Sequence, residues 1–255
     1  LTVFIVLNIF LIIKEKKLFI YNYSKIGLSG CVGGAGIATA AIGFILSLTH
    51  TTAANTLLML AAMPFITAIL AYIFLKEKVS NTTWIAIIIA AVGIIFMAYN
   101  NTDFSDLFGI ACGLLSSLGF AIFSVSLKWK KETPKFTTVA LGGLFCFLFS
   151  LLALFFLDNN FVMSIKNSSL SALHGFLVCM GFILFTIGSK RLPAADLTLL
   201  SLTEVLGGVF WVWLPILGIQ EVPSTSTIIG GFIIILSIFY YSFFTQRKRH
   251  FSGLS

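Results

Sequence analysis

A single acidic residue, Glu204, lies deep inside a long apolar run in the second half of the chain. It stands about ten residues into the run, which in a membrane-crossing helix is ~15 Å deep, close to the midplane. A charge at that depth costs ~2.5–3.5 kcal/mol on insertion scales, so such residues usually face a cavity, a partner or a proton path. Helical spacing puts Ser201, Gly208 and Trp211 on the same face. We therefore predict that this face binds a small molecule and that Glu204 binds a cationic group or carries a coupling proton; a hydrogen-bonded structural glutamate is the alternative.

Three other residues inside apolar runs have side chains or backbone properties that fit a binding site or a hinge. Pro64 removes a backbone hydrogen bond in the middle of its run, which predicts a kink that serves as a hinge or, in a static bundle, only shapes packing. Ser116 and Ser117 lie in mid-run, where they either line a cavity or bond back to their own helix.

The apolar runs that carry these residues are long enough to cross a membrane. The chain is 58% hydrophobic and 10% charged, with a mean hydropathy of +1.05, whereas about a quarter of the residues in a soluble domain are charged. We predict an all-α polytopic membrane protein with eight complete spans, at residues 27–48, 52–75, 83–99, 107–128, 137–157, 170–189, 194–217 and 226–244. Before them, only ~13 apolar residues precede the first lysines, against the ~20 needed to span, so the chain is expected to begin inside a helix.

The positive charges follow the alternation of the predicted spans. If successive loops lie on opposite sides, every one of the 16 lysines and arginines except Lys166 falls on one side. Short loops rich in lysine and arginine stay in the cytoplasm. We therefore predict an integral protein of the cytoplasmic (inner) membrane with a basic tail, residues 246–255, in the cytoplasm. The bilayer accounts for the net charge of +7, and no nucleic-acid partner is expected.

The chain also resembles itself. Residues 50–55 line up with residues 191–196, which are 141 positions later, and residues 77–80 line up with 221–224 after three extra residues. Two short matches in the same order, within similar apolar surroundings, indicate an ancient duplication.

The duplication predicts a first repeat at residues 1–99, which we expect to lack its first helix and part of its second, and a second repeat at residues 105–245. We expect each complete repeat to have five helices. An odd number of crossings places the start of the second repeat on the opposite side of the membrane from the start of the first, so the two repeats insert in opposite orientations. Inverted repeats of this kind are typical of secondary transporters with a substrate site near the midplane. The repeat also predicts a counterpart of the Glu204 face, formed by Asn55, Met59, Met63 and Thr67. Methionines suit adaptable apolar recognition, although core packing is the simpler reading of each.

Sequence signals of catalysis or of a bound cofactor are absent. The four cysteines are single, widely spaced and inside apolar runs, which is typical of small hydrophobic residues. The chain has no phosphate-binding loop, zinc-protease motif or nucleophile elbow. We therefore predict no metal site, no cofactor, no catalytic residue and no enzymatic activity.

Two segments carry a family resemblance. The segment TTAANTLLMLAAMPFITAILAYIFLKEKVS and the later segment LPAADLTLLSLTEVLGGVFWVWLPILGIQEVPS resemble the two halves of the drug/metabolite transporter (DMT) superfamily, EamA type. The residues that fit the family pattern are Pro64, Glu77 and Ser80 in the first copy and Glu204, Glu221 and Ser224 in the second. The chain departs from the pattern at Val205, where the family has proline after the glutamate. The resemblance implies a ten-helix transporter of small organic solutes with both termini in the cytoplasm.

The inverted repeat therefore predicts a secondary-active transporter that works by alternating access around a midplane cavity. The family resemblance implies that the cargo is an amino acid or another small metabolite and that it is exported. A metabolite importer or exchanger on the same fold is the first alternative. A membrane subunit or enzyme without transport activity is the second alternative. A subunit would require a partner protein, and an enzyme would require paired polar catalytic groups at the same depth in the membrane.

Overall fold

The structure, a computed structural model, describes residues 1–15, 18–76, 80–99, 104–157, 164–190, 192, 194, 197–198, 201–214 and 224–252. Every regular element within these residues is an α-helix. In chain order the helices are α1 (Thr2–Glu15), α2 (Leu18–Ser24), α3 (Gly27–His50), α4 (Ala53–Leu60), α5 (Met63–Leu75), α6 (Asn81–Tyr99), α7 (Phe104–Trp129), α8 (Lys135–Leu157), α9 (Ile165–Gly188), α10 (Leu202–Trp213) and α11 (Thr225–Ser252).

The predicted fold class, an all-α polytopic membrane protein, is confirmed. Six helical stretches of the described residues are long and apolar enough to cross a membrane: Gly27–His50, Ala53–Leu75, Phe104–Trp129, Lys135–Phe155, Ile165–Gly188 and Thr225–Phe244. They correspond to six of the eight predicted spans. The predicted span at 83–99 corresponds to α6, of which Asn81–Phe96 is a shorter apolar helix.

The remaining predicted span, 194–217, contains α10 together with residues outside the described set. Three sequence expectations also concern residues that lie outside it: the motif residues Glu77 and Glu221, and the end of the basic tail at 253–255.

The second crossing stretch is two helices rather than one, and Pro64 explains the break. Helix α4 ends at Leu60 and α5 begins at Met63, with Ala61 and Ala62 in a turn between them. Pro64 is the second residue of α5, where a missing N–H costs little, but it cannot donate to the carbonyl of Leu60 as an uninterrupted helix requires. The helical hydrogen-bond ladder therefore stops at this point.

The closest helix crossing joins α3 to α7 through residues without bulky side chains. A Cβ built on Gly119 of α7 would lie 2.6 Å from the amide nitrogen of Ala40 and 2.6 Å from the carbonyl oxygen of Gly36, both on α3. One turn further along, a Cβ on Gly43 would lie 2.8 Å from the carbonyl oxygen of Cys112. Small residues let helices in a membrane approach backbone to backbone, where dispersion contacts replace the hydrophobic effect.

A second close crossing joins α6 to α11. A Cβ on Gly93 would lie 2.8 Å from the carbonyl oxygen of Gly230, and Ser237 Oγ donates a 2.8 Å hydrogen bond to the carbonyl oxygen of Ala86. Around these crossings the buried apolar residues form two main clusters. One joins α4, α5, α6, α7, α10 and α11, and the other joins α1, α3, α7, α8 and α9.

Candidate functional site

Glu204 is held in the first turn of α10 by its neighbours. Ser201 precedes the helix, and its carbonyl oxygen accepts a 3.0 Å hydrogen bond from the Glu204 N–H. Ser201 Oγ in turn donates to the carbonyl oxygen of Leu197 at 3.2 Å. Val205, the next residue, is 2% exposed in the cluster that joins α10 to α4 and α11. Because Val205 turns into this core, Glu204 turns away from it, and its side chain is exposed.

Ser201 and Glu204 line a cavity of about 520 Å³ between α7, α9 and α10. The volume falls in the range of roughly 300–1,000 Å³ that is usual for small-molecule sites. The other described lining residues are mostly apolar: Phe120, His174, Leu177, Val178, Gly181, Phe182 and Phe185. A small organic solute therefore fits this space.

Phenylalanines from two helices form an aromatic wall of the cavity. The ring of Phe120 stacks on Phe182, with centroids 6.1 Å apart, and meets Phe185 edge to face at 4.9 Å. Phe123 is fully buried behind these rings and does not itself line the cavity; its ring centroid lies 5.6 and 5.7 Å from those of Phe182 and Phe185. The faces of aromatic rings carry partial negative charge. The wall therefore suits an apolar group or a cation, and it disfavours an anion.

The carboxylate of Glu204 has no compensating charge within the described part of the chain. No lysine or arginine is among the described residues that line the cavity, and no described residue forms an ion pair or hydrogen bond with the carboxylate. His174 is the other titratable group of this lining, and it also lines a second cavity of about 510 Å³ among α1, α3, α8 and α9. Within the described residues, no cluster of three or more metal-ligating side chains is present.

The other two members of the predicted Glu204 face lie away from the cavity. Gly208 packs against α4, since a Cβ on it would lie 3.0 Å from Leu57 Cδ1. Trp211 is 54% exposed, and its ring centroid lies 6.3 Å from that of Phe210. Of the four predicted residues, the structure thus places Ser201 and Glu204 together at the cavity.

The counterpart face predicted on α4 and α5 is buried between helices. Met59 and Met63 are 0% and 5% exposed, and Gly113 of α7 packs on the Met59 side chain. Thr67 is 0% exposed, and its Oγ1 donates to the carbonyl oxygen of Met63 at 2.8 Å. None of these three residues is among the described lining of the Glu204 cavity.

Asn55, the fourth residue of that face, connects the two predicted repeats. Its Oδ1 accepts a 2.9 Å hydrogen bond from Thr227 Oγ1 on α11, and its Nδ2 donates to Thr51 Oγ1 at 3.0 Å. Asn55 and Thr227 are both buried. Thr227 also contacts Ser224, whose Oγ lies 2.8 Å from Thr227 Oγ1 and accepts the Thr227 N–H at 3.1 Å. The amide of Asn55 therefore fixes the start of α4 against the start of α11.

Replacing Thr227 with valine is expected to weaken this contact by about 0.6–1.7 kcal/mol, the range for interhelical hydrogen bonds in membranes. A double-mutant cycle with Asn55→Ala, read by unfolding in mixed micelles, measures the coupling. Thr83→Val is the matched control, because Thr83 has the same contacts with Ser80 at the start of α6 but no described partner on another helix. Coupling between Asn55 and Thr227 no larger than that between Asn55 and Thr83 would contradict the role given to this hydrogen bond.

The serines predicted to face a cavity hold helices together. Ser116 Oγ donates to the carbonyl oxygen of Ala40 on α3, and Ser117 Oγ donates to the carbonyl oxygen of Met59 on α4, both at 2.8 Å. Both serines are buried. The carbonyl of Met59 lies in the last turn of α4, just before the break at Pro64, and it also accepts the Ala62 N–H at 3.1 Å. Ser117 therefore adds a second, interhelical hydrogen bond to this carbonyl and joins α7 to the end of α4.

The sequence prediction did not include the aromatic wall. In the sequence, the wall corresponds to two pairs of phenylalanines, each pair three residues apart: Phe120 and Phe123 on α7, and Phe182 and Phe185 on α9. Among 27 phenylalanines, two such pairs do not stand out until the structure shows that their helices cross there. His174, which was also not part of the predicted site, lies at the cavity.

Residues 1–99 match the EamA-like transporter family. The chain is also 25% identical over 206 residues to a protein of Bacillus subtilis (strain 168) named "Uncharacterized transporter YwfM", and the match covers 77% of this chain and 67% of that protein. A crystal structure described as "Crystal structure of protein" has a TM-score of 0.60 and 15% identity, covering 96% of this chain and 86% of the other. The structural similarity concerns the fold alone. The family match confirms, for residues 1–99, the resemblance to EamA-type transporters predicted from the sequence.

Proposed function

The chain is an integral membrane protein with an EamA-like transporter region in residues 1–99, and on that premise we propose that it is a secondary-active transporter of small organic metabolites. The proposed cargo is an amino acid or a related solute, and the proposed direction is export from the cytoplasm. The single observation that carries the proposal is the exposed carboxylate of Glu204, uncompensated by any described residue, in a solute-sized cavity between membrane-crossing helices.

The chemistry of the cavity supports two roles for Glu204. An unpaired carboxylate in a mostly apolar cavity within the membrane is stabilised by a cation or by a proton. The amino group of a solute would bind between the carboxylate and the faces of Phe120 and Phe182, which attract cations. A proton on Glu204 would compete with that amino group, and competition of this kind couples the movement of a solute to a proton gradient.

Alternating access requires two halves that move against each other, and we assign these halves to residues 1–99 and 105–245. The interruption between α4 and α5 at Pro64 provides a place where the first half bends without breaking further hydrogen bonds. The Asn55–Thr227 hydrogen bond joins the halves at one end and would break or form as they rock. The distribution of lysine and arginine supports insertion in the cytoplasmic membrane with the C-terminus in the cytoplasm.

Filling the cavity tests the proposal directly. A Cβ on Gly181, which lines the cavity, meets no heavy atom within 4 Å. Gly181→Leu is therefore expected to occupy the solute space without straining α9, and to reduce transport to the level of empty vesicles. The measurement is uptake of a labelled panel of amino acids and metabolites by inside-out proteoliposomes.

Gly207→Leu is the matched control. A Cβ on Gly207 also meets no atom within 4 Å, but Gly207 is not among the described residues that line the cavity, so transport should continue. Equal transport by the wild type and Gly181→Leu would show that the solute does not pass through this cavity. Uptake that depends on solute preloaded on the opposite side, and not on a proton gradient, would favour an exchanger.

A further inference from the structure

A narrow apolar groove lies apart from the Glu204 cavity. It has a volume of about 250 Å³ and is bounded by α3, α5 and α7. Val32 of α3, Leu70 and Phe74 of α5, and Ile122, Val125 and Trp129 of α7 line it. Ser126 also borders the groove, but its hydroxyl donates to the carbonyl oxygen of Phe123 at 2.7 Å. The lining therefore offers a hydrocarbon surface.

One end of the groove lies at helix termini and carries two exposed aromatic rings. Phe74 stands one residue before the end of α5, and Trp129 is the last residue of α7. They are 54% and 36% exposed, and their ring centroids lie 6.1 Å apart. Aromatic residues at the ends of membrane-crossing helices sit at the level of the lipid headgroups. The groove thus extends from the headgroup level toward the hydrocarbon interior.

Two lysines stand at the same end. Lys76 follows α5 in a left-handed conformation, with φ of 55°, and Lys130 follows Trp129 directly. Both side chains are exposed. The C-terminal ends of α5 and α7 each contribute about half a negative charge. The full positive charges of the two lysines exceed these partial charges, so together they make this end of the groove positive.

These two lysines, like Lys128, Lys131 and Lys166, have no hydrogen bond, ion pair or ring contact with a described residue, whereas four other lysines do. The ammonium groups of three other lysines lie 4.5–5.5 Å from the centroids of aromatic rings, and Lys135 Nζ donates to Ser189. The three are Lys14, Lys25 and Lys190. Among the described residues, neither Lys76 nor Lys130 has an ion pair, a hydrogen bond or a ring contact. Their charges are available to a ligand.

We propose that this groove is a binding site for an anionic phospholipid. One acyl chain lies between α3, α5 and α7, and the phosphate lies between Lys76 and Lys130 beside Trp129. Contacts between the groove and the acyl chain do not discriminate between lipids of different charge, because the acyl chain meets an equally apolar environment in the groove and in the bilayer. The two lysines provide the selectivity. If each lysine contributes the binding free energy that is usual for a basic residue near an anionic membrane surface, the two together favour an anionic over a zwitterionic lipid by about 30-fold.

Quenching of Trp129 fluorescence by brominated lipid tests the proposal. Replacement of Trp84, Trp211 and Trp213 by phenylalanine leaves Trp129 as the single tryptophan of the four. The protein is placed in phosphatidylcholine nanodiscs that contain small fractions of dibromo-phosphatidylglycerol or dibromo-phosphatidylcholine. We expect the anionic quencher to reach half-maximal quenching at a mole fraction about 10- to 30-fold lower than the zwitterionic one.

Two variants separate a specific site from general attraction to a basic protein. Lys76→Gln with Lys130→Gln is expected to abolish the preference while quenching by dibromo-phosphatidylcholine continues, which also shows that Trp129 keeps its place. Lys166→Gln removes a charge from the opposite side of the predicted topology and should leave the preference unchanged. Equal quenching by the two lipids in the wild-type background, or a preference that survives the double replacement, would overturn the proposal.

If the triple tryptophan replacement does not fold, co-purified lipid measured by native mass spectrometry replaces the quenching assay. Retention of phosphatidylglycerol by the wild type, and its loss in the double lysine variant but not in Lys166→Gln, would support the site. Retention that is the same in all three proteins would overturn it. Neither measurement requires a transported solute, so the lipid site and the transport function stand or fall separately.

Discussion

Glu204→Gln is expected to abolish solute transport while leaving the protein folded. Glutamine keeps the size of the side chain but has no negative charge and does not take up or release a proton. A hydrogen bond to a charged group contributes about 1.5–3 kcal/mol, so loss of the charged partner should weaken binding of a cationic solute by about 10- to 160-fold. If Glu204 carries the coupling proton, the variant should also lose accumulation driven by a proton gradient. Proteoliposome uptake across a series of pH values measures both effects.

Glu204→Asp is the matched variant for this experiment. Aspartate keeps the charge and the ability to exchange a proton, but it is one methylene shorter, so we expect reduced transport that still depends on pH. Its comparison with glutamine separates the charge from the shape of the side chain. Transport by Glu204→Gln at the wild-type rate and with the wild-type pH dependence would remove Glu204 from the mechanism.

Gly119→Ala is expected to cause the largest loss of stability among single-methyl changes. The added methyl group would lie 2.6 Å from backbone atoms of both Gly36 and Ala40, a distance that real Cβ atoms do not show. Backbone cannot rotate away as a side chain can, so α3 and α7 must separate. Overpacking of this kind costs about 1–3 kcal/mol. Thermal unfolding in detergent, with the apparent Tm as the readout, measures the change.

Gly207→Ala controls for the loss of a helical glycine. Alanine has the higher helix propensity, by about 1 kcal/mol, and a Cβ on Gly207 meets no atom within 4 Å, so its Tm should stay or rise. A Tm for Gly119→Ala equal to that of the wild type would show that the α3–α7 crossing is looser than its geometry indicates.

The α3–α7 crossing also matters for the candidate site. Phe120 and Phe123 follow Gly119 on α7 and form the aromatic wall with Phe182 and Phe185. A shift of α7 would move these rings relative to Glu204. We therefore expect Gly119→Ala to alter transport as well as stability, whereas Glu204→Gln should alter transport alone.

The helical elements and the residue at the centre of the candidate site could be predicted from the amino-acid sequence. Apolar runs of more than twenty residues leave the backbone no other way to satisfy its hydrogen bonds in hydrocarbon, so most predicted spans correspond to described helices. The break at Pro64 could be predicted because the hydrogen bond that proline cannot donate is to a residue four positions earlier in the same helix. Glu204 was predicted because a charge inside such a run stands out in the sequence alone.

Which side chains contact one another became known only from the packing of the helices. Asn55, Ser116 and Ser117, predicted at a substrate site, bind Thr227, Ala40 and Met59 on neighbouring helices, while the aromatic wall beside Glu204 was not predicted. The reason is physical. In a soluble protein the polar face of a helix marks the side that meets water, but these helices are apolar nearly all round because they meet either lipid or one another. Hydrophobic periodicity then does not distinguish the face that packs from the face that meets lipid, and the pairing of helices follows from small residues, interhelical hydrogen bonds and shape.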